Sequence, residues 1–590
     1  MVSLMTSRLA LCLVAGMAAS AGFALAQLPP PPKEQMVDPN GIDARNGNET
    51  WSFPELGIGP DGEMGLHLSR QKNEGVIRDS FDSTFLSHSS PQTGVWSISA
   101  TFGGIGGSFG TYGKSPGDFY SRDPDMYQHL DGAVVNFGIS ILAEPNEYDF
   151  ENIYKLADFI RYPSGATTYL HYKTAQVSGP YGTLTVSRVQ SATTNTGYQI
   201  KFSYASSDPY NAAWGTRVSA TAVNMAVEYC DPSADSCSLQ SWPTTTYSQV
   251  PYGSGGVTRS ASRPDGTVAN MTWVNANGIG DFILSDTADP SSGRRYAYTS
   301  IWQCENPNQD PSSFCSMGSN SRVSLFTDGG RSTSYTYSLV SGDIRQISAA
   351  TSGIGTTIYN SDGAGALGVR AARNELSHTS SFNYDNNGKL VRAQWPEGNY
   401  TEYVRDAYGR VTQEIVHSKG NASTISTSRT FGACAWGVLT CNKPTSETDA
   451  NGRTTDYRYN ARGQMTAEIQ PPDTNGVRPL RRWEYEDRYA YVKAANGSFV
   501  PASSPVSVPV REIICRSTFN GNMLAPACGS TSDEVVTVYG YGGQGSKNPL
   551  LVKSLQVTAD GKSLLTCYSY DSFGNRVSET SPRAGLATCP

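Results

Sequence analysis

A short phrase recurs along this chain and limits its fold more than any other feature: Asp, two variable residues, Gly, a basic residue and an aliphatic one. It reads Tyr384-Asp385-Asn386-Asn387-Gly388-Lys389-Leu390, then Arg405-Asp406-Ala407-Tyr408-Gly409-Arg410-Val411. Tyr570-Asp571-Ser572-Phe573-Gly574-Asn575-Arg576-Val577 repeats it with one Asn inserted, and Tyr459-Asn460-Ala461-Arg462-Gly463-Gln464-Met465 keeps the spacing with Asn for Asp. A second phrase leads into some copies. Gly452 to Tyr459 (GRTTDYRY) aligns without a gap on Gly330 to Tyr337 (GRSTSYTY), Pro396 to Tyr403 (PEGNYTEY) is a third version, and Pro163 to Tyr169 (PSGATTY) is a looser one. Alternate strand residues share a face, so the tyrosines of Tyr-x-Tyr point the same way. The adjacent Asp accepts from a backbone N–H two residues on, Gly takes the positive φ that closes the turn, and the next two residues open the return strand. Each unit is therefore a β-hairpin. A lone hairpin is marginal in water, so the units must stack edge to edge into an extended sheet that curls into a spiral or shell.

The rest of the chain agrees with an all-β fold. Only 38% of the 590 residues are hydrophobic, against 59 Gly, 33 Pro and 33 Tyr, a turn-rich and aromatic composition. Residues 51–320 read as an N-terminal β-rich domain of degenerate repeats, with short alternating runs such as TGVWSISATFGG (93–104), LTVSRVQSATT (184–194) and RVSATAVNMAVEY (217–229). Phe150 to Ile160 places apolar residues at helical steps, yet the phrase that follows at Pro163 favours a strand. Residues 321–590 form the repeat region. Lys and Arg number 45 and Asp and Glu 52, a formal charge of −7, so the basic footprint of a nucleic-acid binder is missing.

Residues 9–26 form an apolar run behind Arg8 that ends Ala24-Leu25-Ala26, the small-x-small pattern of a signal peptidase site. The sequence predicts a signal peptide over 1–26, cleavage before Gln27 and export. A membrane anchor is the alternative, weakened by the small residues in the second half of the run. No later stretch is long and apolar enough to span a membrane as a helix. Residues 27–50, with four consecutive prolines, read as a linker. Beyond Cys12, ten cysteines fall into neighbouring couples: Cys230/Cys237, Cys304/Cys315, Cys434/Cys441, Cys515/Cys528 and Cys567/Cys589. An even count in an exported chain predicts disulfides, and short loops favour sequence-local pairing.

Tyr384-Asp385-x-x-Gly388-Lys389-Leu390 followed by Pro396-x-Gly398-x-x-Thr401-x-Tyr403 resembles the YD repeat of the RHS family of bacterial exported proteins. The resemblance implies strands wound into a hollow β-shell, which in larger members encloses a toxic C-terminal domain or sits on the cell surface. Those members carry a core-closing D-P-x-G motif after the repeats, where self-cleavage occurs. Here D-P-x-G occurs as Asp38-Pro39-Asn40-Gly41, ahead of the repeats, and reads as a chance match to a turn. The chain reads to Pro590 just after a repeat, which leads us to expect no enclosed effector, self-cleavage or toxicity in this polypeptide.

Motifs for chemistry fail on their surroundings. Gly106-Gly107-Ser108-Phe109-Gly110 matches G-x-S-x-G, but a nucleophile elbow needs a strand before it and a helix after it, and a glycine-rich tract stands here instead. Gly113-Lys114-Ser115 lacks the glycine that a phosphate-binding loop requires five positions earlier. Six scattered histidines offer no zinc pattern, and the D-x-x-G turns place Gly too early for an EF-hand. No cofactor, metal or catalytic residue is predicted.

These readings lead to a non-enzymatic, exported YD-repeat protein serving as a structural or binding surface in cell-surface contact. The tyrosines read first as cross-strand pairs that hold the sheet and, alternatively, as exposed aromatics that stack on sugars; the expected partners are cell-surface glycans or an RHS effector or partner chain. One alternative is the shell or carrier part of an RHS polymorphic toxin whose effector lies outside this chain; the other is a secreted hydrolase, for which the sequence nominates no carboxylate pair.

Overall fold

The computed structural model describes residues 38–590 apart from 45–46, 48, 50, 74–75, 82–84, 91–94, 103–104, 110–118, 123–124, 130, 144–151, 180–181, 254, 276–281, 290–292, 301–320, 341–342, 362–367, 386–388 and 518. The predicted signal peptide and the first part of the predicted linker lie outside these residues. So do Cys304, Cys315, Gly388 and the Gly113-Lys114-Ser115 motif. Within the described residues every regular element is a strand or a short 3-10 turn, as the alternating sequence requires.

One antiparallel sheet dominates. It begins with Phe119–Arg122, Asp125–Gln128, Val134–Asn136 and Phe159–Arg161, and from Thr167–Gly179 each strand pairs with the one before it, as far as Arg576–Thr580. The small hairpin Tyr491–Lys493 with Phe499–Pro501 is an excursion from this order. Among the described residues no paired register joins the first and last strands of the sheet, so it is not closed. Two smaller sheets accompany it, Trp51–Ile58 with Leu66–Asn73 and Val76–Asp79, and Ile139–Ala143 with Asn152–Leu156, Phe85–Ser90, Val95–Phe102 and Ile105–Phe109. The ambiguous segment after Phe150 supplies two strands, Asn152–Leu156 and Phe159–Arg161, bent apart at Ala157 and Asp158. Arg294–Ser300 and Ser321–Asp328 are hydrogen-bonded neighbours, so degenerate and clear repeats belong to one continuous wall.

The N-terminal segment lies across one face of this wall. Ile42, Trp51 and Phe53 pack with Met271, Leu284, Tyr296, Val323 and Phe326, and Leu56, Ile58, Leu66 and Leu68 pack with Ile200, Phe202, Ala220 and Ala222. Residues 38–44, expected within a linker, are thus part of the core: Asp38, Ile42 and Ala44 are buried. The apolar residues Ile42, Trp51 and Phe53 find their partners only through contacts hundreds of residues away.

The sheet coils until its early strands meet its late ones rim to rim. The N–H of Ser507 donates to the carbonyl of Ser164, Lys493 N–H to Met225 and Gly59 N–H to Phe573, at 2.8, 2.8 and 3.2 Å. Asn224 Nδ2 reaches Asn548 Oδ1 at 3.0 Å and the Ser572 carbonyl at 2.9 Å. Ala166, Ala490, Val506, Val508 and Leu550 bury one part of this seam, and the rings of Trp242 and Phe573 meet edge to face at 5.5 Å in another.

Candidate functional site

The repeat turns follow one hydrogen-bonding scheme. The N–H of Asp406 donates to the Arg410 carbonyl and its own carbonyl accepts from Gly409, at 3.1 and 2.9 Å. Its Oδ1 accepts from the N–H groups of Tyr408 and Arg410 at 2.9 and 3.1 Å, and Oδ2 takes Arg410 Nε at 2.7 Å. Gly409 closes the turn at φ +77°, a conformation that costs any residue with a Cβ. Asp571 repeats the pattern with Phe573, Asn575 and Gly574. Asn460 does so with Arg462, Gln464 and Gly463, because the side-chain carbonyl alone suffices for the cap. Asp385 keeps the contacts that are described, its N–H to the Lys389 carbonyl and its Oδ1 from Lys389 N–H, both 2.9 Å. Asp38 also follows the scheme: Oδ1 accepts from Asn40 and Ile42 at 2.9 Å, with Gly41 at φ +85°. The D-P-N-G stretch is therefore a turn of the repeat kind.

The repeat tyrosines, most of them at the end of a strand, staple that strand to the one before. The hydroxyls of Tyr384, Tyr459, Tyr485, Tyr541 and Tyr570 donate to the carbonyls of Val369, Pro444, Met465, Pro509 and Val552 at 3.1, 3.0, 2.8, 2.8 and 2.8 Å. Tyr204 and Tyr337 bond Val189 and Val323 in the same way. A register shift precedes Tyr384, Tyr459, Tyr485, Tyr541 and Tyr570 alike. The ladder between two strands starts two residues further in, for example at Ala371 opposite Ser381. The carbonyl beyond it would otherwise go without a strand partner, and the phenol supplies one. Where Arg405 replaces tyrosine, its Nη2 reaches the Leu390 carbonyl at 3.3 Å.

Among the described residues each disulfide closes a short loop or ties a loop or tail to a strand. Cys230–Cys237, Cys434–Cys441, Cys515–Cys528 and Cys567–Cys589 are bonded, with Cα separations of 5.7, 4.5, 5.3 and 5.5 Å. The 434–441 loop enters the seam, where Gln128 Oε1 accepts from Gly437 N–H at 2.7 Å and Gln128 Nε2 donates to Val438 at 3.2 Å. Cys567–Cys589 ties the C-terminal tail to the strand Lys562–Tyr570.

Two groups of ionisable residues have no counterpart in the sequence reading. Asp38, Glu49 and Glu55 of the N-terminal segment are buried, and each accepts a tyrosine hydroxyl from the wall: Tyr335 at 2.6 Å, Tyr298 at 2.6 Å and Tyr247 at 2.7 Å. Arg70 Nε adds a 2.7 Å pair to Glu55. Asp38 carried a usable signal, the repeat spacing to Gly41; Glu49 and Glu55 carried none. The second group lies at the seam. Burial raises the Glu63 carboxyl above its ordinary value despite a hydrogen bond from Ser164. Burial also raises Asp131, but the hydrogen bond and charge of His129, 2.9 Å away, outweigh it and hold that carboxyl low. Lys443 is lowered by burial, and Tyr162 is pushed up to about 12 by burial and then by Glu63 and Asp131. Three remote segments thus bring opposite charges together where the rims meet.

Chemically the arrangement grips backbone. Among the described residues no three His, Cys, Asp or Glu side chains gather as a metal would require, and no helix is long and apolar enough to cross a membrane. Gly106 to Phe109 lie in the strand Ile105–Phe109, with Gly110 outside the described residues.

Residues 442–475 match the family model of the RHS repeat. No curated protein matches the chain. Similar solved structures include the crystal structure of TcdB2-TccC3-Cdc42, at 11% identity and a TM-score of 0.22 over 76% of this chain and 27% of that one. TcdB2-TccC3 without its hypervariable C-terminal region gives 10% identity and 0.23 over 78% and 27%. The Photorhabdus luminescens Tc holotoxin pore with a TccC3 mutation gives 11% and 0.25 over 89% and 28%. The chain spans little more than a quarter of the length of these structures.

Proposed function

We propose that this chain, in which residues 442–475 match the RHS repeat, works as an exported wall, a rigid non-enzymatic surface for cell-surface contact whose ligands are glycans. The observation that carries the reading is the use of the repeat residues. The Asp, Gly and Tyr positions shared by the repeats are occupied in capping turns and stapling strands. What the repeats build is a stiff surface, and exposed aromatic side chains such as Tyr210, Tyr252 and Trp395 offer contact area on it. The purified mature chain is expected to adhere to cells or isolated cell-wall glycans without turning them over. Absence of binding to every cell, wall and glycan preparation of its own host would sink the proposal.

A second reading, the shell or carrier part of a polymorphic toxin, is favoured by one feature. Among the described residues the strand Arg576–Thr580 is largely exposed and has a paired register with Lys562–Tyr570 alone, an edge on which further strands or a partner chain can build. Recovery of a native species much larger than this chain from the host would support it; a native species ending at Pro590 would count against it.

A further inference from the structure

We propose that the surface beneath the disulfide-bridged loop Cys230–Cys237 is a binding site for an acidic sugar, a uronate, and that Asp235 of the loop occupies the place of the sugar's carboxylate. The proposal rests on the reading of the wall as a glycan-contact surface and names the class of glycan.

The site begins with a strand pattern. Tyr198, Ile200 and Phe202 face the hydrophobic core, so Gln199 and Lys201 between them share the opposite face. Register places Gln199 opposite Thr193 and Lys201 opposite Ser191, and Ser191 opposite His171 on the next strand. Thr193 Oγ1 and His171 Nε2 are 2.8 Å apart. Lys201 and Gln199 are buried; Gln199 lies opposite the core residue Val223 on one neighbouring strand, and what covers Lys201 is a loop. Lys201 Nζ donates to the carbonyls of Asp231, Pro232 and Ala234, the first two at 3.3 and 3.0 Å, and Ser191 Oγ donates to the Pro232 carbonyl at 2.8 Å.

Two observations point to a ligand. The first is the charge arrangement. Asp235 accepts from Lys173 Nζ and, at 3.0 Å, from Arg188 Nη2. Arg188 is buried and fixed by the carbonyls of Ser206 and Trp214 at 2.8 and 2.5 Å, with its guanidinium 4.1 Å from the Tyr204 ring centre. The Asp235 side chain is 43% exposed, so the anion is the movable member and the cations are the built one. With Lys201, whose ammonium burial pulls down to about 8, three cations stand under one loop that carries two aspartates.

The second observation is Gln199. It is fully buried, and neither Nε2 nor Oε1 has a hydrogen-bond partner. A buried amide with both ends idle is costly to keep, and its position beside Thr193, His171 and Ser191 makes a set of donors and acceptors suited to sugar hydroxyls. Cations for a carboxylate beside an amide, hydroxyls and an imidazole for hydroxyls match a uronate ring better than a plain phosphate or sulfate.

The test uses the full oxidised chain and three probes: alginate, a polymer of uronates; dextran sulfate, a sulfated glucan; and neutral dextran. Asp235→Ala removes the internal carboxylate from an exposed position and is expected to raise alginate affinity roughly tenfold, the scale of losing one charge-assisted competitor. Asp265→Ala removes the same charge from a distant exposed turn and leaves alginate binding unchanged. Adding Lys173→Ala to Asp235→Ala returns affinity to the wild-type level, and adding Gln199→Met abolishes the preference for alginate over dextran sulfate. No gain with Asp235→Ala, an equal gain with Asp265→Ala, or an equal gain for dextran sulfate would overturn the site. Wild-type protein that fails to adhere to any cell or glycan sinks the surface-contact reading instead, whereas adhesion without a gain on alginate sinks this site alone.

Discussion

The hydroxyl of Tyr335 donates to Asp38 Oδ2 at 2.6 Å, joining residues 297 positions apart, while Oδ1 of the same carboxylate caps the turn at Asn40 and Ile42. One side chain thus fixes both a local turn and its attachment to the wall. Asp38→Ala leaves a buried phenol and two N–H groups without their acceptor and is expected to cost about 2–4 kcal/mol, measured by urea denaturation. A loss below the error of the measurement would show that the segment is not clasped there.

The same carboxyl sets a pH dependence opposite to ordinary acid denaturation. Burial raises Asp38 above its usual value against three hydrogen bonds that lower it. A group that holds its proton more tightly when folded contributes stability that is complete below the unfolded value, about 3.9, and is lost as pH rises through the folded one. After correction for intrinsic exchange, the Ile42 amide should therefore lose hydrogen-exchange protection as pH climbs through that window. Protection that grows with pH would contradict the assignment.

The staples separate the phenol from its ring. Tyr459→Phe and Tyr570→Phe keep the ring that lies near Lys443 and Lys553 but leave the carbonyls of Pro444 and Val552 without their donor. Each should cost about 0.5–1.5 kcal/mol, and the two should add, since they cap different strands. Tyr568→Phe is the control, expected within about 0.5 kcal/mol. Calorimetry of the three variants decides it, and equal costs for all three would refute the stapling role.

Two glycines with the same backbone distinguish turn from seam. Gly452 has φ +76° and open space, with no atom within 4 Å of where a Cβ would stand, whereas at Gly463, φ +75°, a Cβ would meet the Leu439 carbonyl oxygen at 2.7 Å. Gly452→Ala should cost about 1–2 kcal/mol from the left-handed conformation alone. Gly463→Ala adds about 1–3 kcal/mol of overpacking and a looser seam, seen as faster proteolysis in the loop 434–441. Equal stability of the two variants would place Gly463 outside the seam.

The covalent state is read by intact mass. Protein recovered from outside the host cytoplasm should begin at Gln27 and gain no alkyl groups unless first reduced, which adds the couple Cys304/Cys315 to the four bridges described. Two thiols alkylated without reduction would leave that couple open.

The features legible in the sequence are those whose cause is local. Asp406 and Gly409, or Asp571 and Gly574, determine a turn within five residues, and in the gapless match of Gly330–Tyr337 with Gly452–Tyr459 both terminal tyrosines bond a carbonyl of the preceding strand. The turns behind that match differ: Asp328 pairs with Arg331 across a two-residue turn at 329–330, whereas Asp449 to Arg453 form the five-residue kind. What the phenols hold was not legible, because the Val369 carbonyl that Tyr384 reaches depends on where a ladder stops. The clasp carboxylates Glu49 and Glu55 were hidden for a stronger reason. Their partners Tyr298 and Tyr247 become neighbours only after the wall has formed.

The rim-to-rim seam makes the protein resemble a screw thread. Turns at 162–166, 195–197 and 224 bear on later turns at 460–464, 489–505, 548 and 571–575, so the hairpins between them set the pitch. Adding or deleting a single strand would send every later turn to the opposite rim and strip the thread, while a whole hairpin would shift all the later contacts by one position. Length variation in such a chain is therefore quantised in pairs of strands and is tolerated most easily in loops on the rim that faces away from the seam.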